Sequence, residues 1–117
     1  MKVDFEMRLN ENPFFKIRNG EQIFEGRLND SKRRRLEVGK FIRFYLRPKE
    51  KEFFDVRVVE LRKYNSFKEM FEDLGAGVFG CDEDYLVEDF VLAYRKYYSE
   101  EMEKKFGVLG IRVEVVS

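Results

Sequence analysis

The sequence predicts an α+β fold, one domain over residues 1–117 in which a small antiparallel β-barrel carries helices at its side. Three observations predict it. Residues 3–9, 22–28, 40–47, 53–64 and 109–115 read as strands, most by period-two alternation, and each leaves an apolar face to be covered. Helical spacing of apolar residues falls between them, so strands from both ends of the chain must pair. Finally, 117 residues with 13 Phe and 6 Tyr supply one core and are too few for two ordinary domains.

Val3 to Leu9 alternates over seven residues as a half-buried strand. Asn12-Pro13 then offers an N-cap and a first-turn proline, Phe14, Phe15 and Ile17 an apolar helical face, and Asn19-Gly20 a left-handed stop. In the next strand Phe24, Gly26 and Leu28 share one face and Ile23, Glu25 and Arg27 the other. Leu28 to Ser31 is a turn, followed by Lys32-Arg33-Arg34-Arg35 in a loop or single helical turn. Residues 40–47 and 53–64 form a hairpin about a turn at 48–52. Ser66-Phe67-Lys68-Glu69 is a capping box for a helix that Gly75 ends. A longer helix runs from about Asp84 to Tyr97, Ser99 marks a fresh helix start, and Leu109, Ile111, Val113 and Val115 alternate as the last strand. The expected order is β-α-β-β-β-α-α-β.

Composition narrows the chemistry. With no His, the commonest general base and metal ligand are missing, as is every Ser-His or Cys-His pair. One cysteine cannot make an intrachain disulfide, no apolar run approaches the roughly 18 residues of a membrane span, and no secretory leader opens the chain, so a cytoplasmic protein is expected. Abundant Lys, Glu and Arg beside a single Gln resembles a heat-adapted composition. The 23 basic and 23 acidic residues cancel, yet residues 1–65 hold 17 Lys or Arg against 11 Asp or Glu and the remainder 6 against 12. Such poles point either to an anionic partner or to ion pairs between the halves.

Several motifs have plain readings. Gly75 to Gly80 spells G-x-G-x-x-G, but it follows a helix where a dinucleotide site must follow a strand. Asp82-Glu83-Asp84 lacks calcium-loop spacing and suits a helix N-terminus; no metal or cofactor is expected. Cys81 beside these carboxylates is a poor nucleophile. Tyr94, Tyr97 and Tyr98 read as a packing stripe with wet hydroxyls in preference to a base-stacking platform.

A basic and aromatic face carries the functional signal. Arg43, Tyr45 and Arg47 project from one side of a strand, and Arg33, Arg34 and Arg35 precede it, a composition suited to a single-stranded nucleic-acid groove. The alternative is a solvated face with cross-strand pairs such as Arg43 with Asp55. Glu25 and Arg27 suit a nucleotide pocket, the carboxylate accepting from a base amino group, or else pair within their strand. Gly26 between them signals a bulge or a close backbone approach.

Gly20-Glu21-Gln22-Ile23-Phe24-Glu25-Gly26-Arg27 resembles the G-x-K-x-x-E-x-R signature of the ASCH domain, a member of the PUA-like superfamily, with Gln22 where the family has Lys. The likeness extends to Met7-Arg8-Leu9, Pro13-Phe14, Arg27 to Asp30, Val38-Gly39-Lys40 and Tyr98 to Ile111. It implies a PUA-like small mixed or antiparallel β-barrel with flanking helices and a cleft lined by the motif. It further implies an RNA- or nucleotide-binding module, with Gln22, Glu25, Arg27, Arg33, Arg34, Arg35, Lys40, Arg43, Tyr45 and Arg47 as candidate contacts. The alternative it implies is a small amidohydrolase or ribonuclease acting on acetylated cytidine or RNA. In the amidohydrolase pattern the motif Lys is catalytic, whereas Gln22 neither titrates nor supplies an amine; Lys16 and Lys40 are conceivable substitutes, and no residue is assigned a catalytic role. No membrane partner is expected, and the chain is expected to be a monomer or weak homodimer.

Overall fold

The computed structural model describes residues 2–116. Five strands form one mixed sheet: β1 (Phe5–Leu9), β2 (Phe24–Leu28), β3 (Phe41–Leu46), β4 (Phe53–Tyr64) and β5 (Val108–Val115), in the spatial order β1-β3-β4-β5-β2. β1 lies parallel to β3, with Phe5 beside Ile42 and Leu9 beside Leu46, while the other neighbours are antiparallel. The sheet is therefore mixed. A register shift between Val58 and Glu60 interrupts β4 where it pairs with β5, the kind of irregularity that increases local twist. The result is a half-barrel whose two edge strands, β1 and β2, approach across an open seam, where Arg27 Nη2 donates to the Arg8 carbonyl oxygen at 2.7 Å.

Four helices accompany the sheet among the described residues: α1 (Glu11–Arg18), α2 (Phe67–Leu74), α3 (Val87–Arg95) and α4 (Glu100–Phe106). α1 starts two residues before Pro13, with Asn10 at its N-cap, since Pro tolerates the first turn. Ser66 caps α2 as the capping box requires, its hydroxyl accepting from the Glu69 N–H at 3.1 Å. The expected 84–97 helix is shorter, because Asp82 to Tyr85 form a turn and the extended Leu86 delays the start to Val87. α4 starts just after Ser99 as its cap signals, and because it is a helix separate from α3 the order has three consecutive helices where the expected order counted two. Gly75 to Gly80 leave α2 as a loop with a 3₁₀ turn at Gly77–Phe79.

Apolar residues fall into two clusters. Met7, Leu9, Phe14, Ile17, Ile42, Phe44, Val56 and Ile111 fill the space between α1 and the curved sheet. Phe24, Leu28, Phe67, Met70, Phe71, Phe79 and Phe90 pack α2 and α3 onto β2. Gly26 and Gly110 stand opposite each other in the β2–β5 ladder beneath that second cluster. A Cβ at Gly26 would come within 2.6 Å of both Met70 Cε and the Tyr94 hydroxyl. Gly26 thus marks a close approach, and its ladder runs without a bulge.

Charge pairing mostly stays within the basic half. Arg8 pairs with Glu50, Arg18 with Glu52, Arg33 with Asp30 and Arg43 with Asp55. Among the described residues only Arg57–Glu114, Arg62–Asp73 and Arg112–Glu60 join the halves.

Candidate functional site

A cavity of about 430 Å³ opens where the second cluster meets the seam, within the roughly 300–1,000 Å³ of ordinary small-molecule sites. Its floor is β2 and the segment just before it: Glu25, Gly26 and Arg27 of the strand and Gln22 ahead of it line it. Arg8, Asn10 and Lys16 come from β1 and α1, Arg47 from the end of the β3–β4 hairpin, and Phe90, Tyr94, Lys96, Tyr97 and Tyr98 from α3 and the turn after it. Five lining residues are Lys or Arg, and Glu25 is the one carboxylate among them.

Glu25 and Arg27 are both nine-tenths buried and pair within the strand, Arg27 Nε and Nη2 both donating to Glu25 Oε2 at 3.1 and 3.0 Å. Burial alone would lower the Arg27 pKa, but the Glu25 carboxylate, with Tyr98 and Tyr94 nearby, carries it above the ordinary arginine value. The guanidinium stays charged and is fixed at three points by Glu25 and the Arg8 carbonyl. Gln22 donates Nε2 to the Phe24 carbonyl at 2.8 Å. Lys16 Nζ donates to Gly80 O at 2.6 Å, tying α1 to the loop after α2. Lys32, on the Glu6 carbonyl, is held below the usual lysine range by partial burial and by Arg33, Arg8 and Arg27. Lys32 and Arg27 together satisfy two carbonyls on the unpaired side of β1.

The tyrosines form one wall. Phe67 stacks on Tyr94 at 4.1 Å and 11°, and on Tyr98 at 5.8 Å and 13°, which fixes both rings. Burial pushes the Tyr94 hydroxyl well above the ordinary tyrosine pKa, so it remains protonated against Gly26. Tyr97 is half-exposed and accepts from Asn10 Nδ2 across the mouth. Burial likewise raises the Cys81 thiol above its usual value. The side chains of Arg47, at the end of the β3–β4 hairpin, and Lys96, in the turn after α3, make no hydrogen bond or ion pair among the described residues, whereas Arg8 is held by Glu50, Lys16 by Gly80 and Arg27 by Glu25.

Of the residues singled out in the sequence, Gln22, Glu25, Arg27 and Arg47 meet in this cavity, and Arg33, Arg34, Arg35, Lys40, Arg43 and Tyr45 lie outside its lining. Arg33 to Arg35 form a 3₁₀ turn in which Arg33 bonds Asp30 and Arg34 bonds the Asn29 carbonyl. Arg43 and Tyr45 sit on the outer sheet face, opposite buried Ile42 and Phe44. There Arg43 makes a two-point pair with Asp55 at 2.8 and 3.0 Å and stacks on Phe53 at 4.1 Å, and Asp55 is accordingly held below the usual carboxylate range. The cross-strand pair is what occupies that face. The cavity holds only part of these cations, because Arg43 and Tyr45 lie on the sheet face opposite buried Ile42 and Phe44, and Arg33 to Arg35 sit in a separate 3₁₀ turn after β2.

The ASCH domain model matches residues 7–117. The chain belongs to the ASCH domain family. No curated protein matches it. Among solved structures, the archaeal hypothetical protein PH0355 is similar at 38% identity and a TM-score of 0.83, covering 96% of this chain and 98% of its own. The solution structure of protein PF0455 from Pyrococcus furiosus is 35% identical with a TM-score of 0.73, covering 97% of each chain. Protein EF3133 of Enterococcus faecalis, at 11% identity, a TM-score of 0.66 and coverage of 99% and 78%, shares the fold. In this ASCH domain the signature stretch Gly20 to Arg27 runs from just after α1 into β2, and its Gln22, Glu25, Gly26 and Arg27 form the cavity floor.

The ASCH cleft also holds residues that sequence reading left aside. Phe90, Ala93, Tyr94, Tyr97 and Tyr98 recur at i, i+3, i+4, i+7 and i+8, so one helical stripe both packs and lines the cavity. Lys96 and Asn10 carry no sequence signal of their own. Gly26 does carry one, since it announces a close neighbour, but it does not say that the neighbour is Tyr94.

Proposed function

We propose that this ASCH domain binds single-stranded RNA by seating one nucleotide in the cleft, with the flanking phosphates met by Arg47 and Lys96 at the mouth. The observation that carries the reading is one cavity uniting unpaired cations from two separate elements, stacked aromatic rings, and buried polar groups on its floor. Cations with no protein partner reward phosphate, an aromatic face rewards any base, and buried polar groups reward a base with matching donors or acceptors. Gln22, Glu25, Arg27 and Arg47 keep the contact roles expected of them. Arg33, Arg34, Arg35, Lys40, Arg43 and Tyr45 are not part of the reading, and no catalytic role is assigned.

Salt dependence tests it. For a single strand, log affinity falls with log salt by about 0.7 per neutralised phosphate. Fluorescence anisotropy with a labelled oligonucleotide is expected to show a negative slope that Arg47→Ala and Lys96→Ala each flatten by about 0.7. Arg43→Ala is expected to leave the slope unchanged. Salt-independent binding overturns the reading, as does a slope that responds to Arg43 and ignores Arg47 and Lys96.

A further inference from the structure

Two buried side chains on the cleft floor each carry an acceptor oxygen without a partner. Gln22 is 6% exposed, and its hydrogen bond to the Phe24 carbonyl requires the amide nitrogen on that side, which leaves Oε1 with no hydrogen bond. Glu25 is 7% exposed and receives both Arg27 contacts on Oε2, which leaves its own Oε1 unbonded. Among the described residues, the side-chain polar atoms sealed from solvent without a partner are Asn29 Oδ1 and Arg33 Nε. The two free oxygens are not among them, and both residues line the cavity, so each oxygen is open to a bound molecule.

A buried acceptor discriminates strongly, because a ligand that brings another acceptor leaves both groups unpaired and repelling. An exocyclic amino group has two hydrogens to give, one for each oxygen. A carbonyl at the same place sets lone pairs against a carboxylate. We propose that Gln22 and Glu25 together select a nucleobase whose exocyclic amino group stands where uracil carries its O4 carbonyl, cytosine or adenine, over uracil, an inference that rests on RNA being the ligand of this cleft. Gln22 is decisive for this chain. A lysine at that position has three donors and no acceptor, and it would favour the uracil carbonyl instead.

The test compares fluorescently labelled hexamers of cytidylate, adenylate and uridylate at one salt concentration. Wild type is expected to bind the cytidylate and adenylate hexamers about tenfold more tightly than the uridylate hexamer. Gln22→Met removes one acceptor without touching the Glu25–Arg27 pair and is expected to narrow that gap several-fold; Gln22→Lys is expected to erase or invert it. Equal binding of the three hexamers by wild type overturns the selection, as does a gap unchanged in both variants, and either result leaves RNA binding standing. Binding of no hexamer overturns RNA binding itself.

Discussion

Replacing Arg27 by Met is expected to cost the fold about 3–5 kcal/mol, the loss typical when one partner of a buried ion pair is removed. The reason lies in what remains. Glu25 would keep its carboxylate nine-tenths buried with no cation beside it, and the Arg8 carbonyl at the seam would lose its donor. Replacing Glu25 by Met in the same chain removes the stranded charge. The double variant is therefore expected to recover to within about 1–3 kcal/mol of wild type, the remainder being the unsatisfied Arg8 carbonyl. Urea unfolding of the two single variants and the double makes the comparison, and a double variant no more stable than Arg27→Met would contradict the buried-charge account. Arg27 therefore serves two ends: it holds the edges of the half-barrel together and presents the cleft floor.

Glu103→Ala is expected to lose roughly 2–4 kcal/mol, from a site far along the chain from the motif. Glu103 is 6% exposed and its carboxylate joins three helices. It accepts the Phe67 N–H at the start of α2 at 3.0 Å and holds both terminal nitrogens of Arg95 at the end of α3. Without it a fully buried N–H at α2 has no partner, although Arg95, whose side chain is 24% exposed, turns to solvent. Glu103→Gln keeps an acceptor for the Phe67 N–H and is expected to cost distinctly less. The consequence reaches the cleft, because Arg95 anchors the helix that carries Tyr94 and its neighbours. Thermal unfolding measures the loss, and an Ala variant as stable as the Gln variant would show that the Phe67 N–H does not depend on this carboxylate.

Strand and helix periodicity made most of the fold legible. Alternation located β1, β3 and β5, and the Ser66 and Ser99 caps located the starts of α2 and α4. What alternation cannot express is pairing direction, so the parallel β1–β3 ladder came from the topology and not from any local pattern. The site was half legible for a related reason. Glu25 and Arg27 are adjacent on one strand face and declare themselves as a pair, and Gly26 declares a close neighbour. Arg43 and Tyr45 share a strand face just as plainly, but a face has two possible surroundings, and only the sheet order decides that theirs is the outer one, with Asp55 and Phe53 as company. Tyr94, Tyr97 and Tyr98 show the converse: a stripe spaced for packing also walls a cavity, and the missing Cβ of Gly26 lets the Tyr94 hydroxyl close onto β2.

Two surfaces are thus alternatives for the proposed RNA binding, the cleft with its tyrosine wall and the outer sheet face with Arg43, Tyr45 and Phe53. Ultraviolet crosslinking to a short single-stranded RNA, followed by identification of the modified residue, separates them. Adducts on Tyr94, Tyr97, Tyr98, Phe90 or Cys81 are the predicted result. Adducts confined to Tyr45 or Phe53 would contradict the cleft as the binding site.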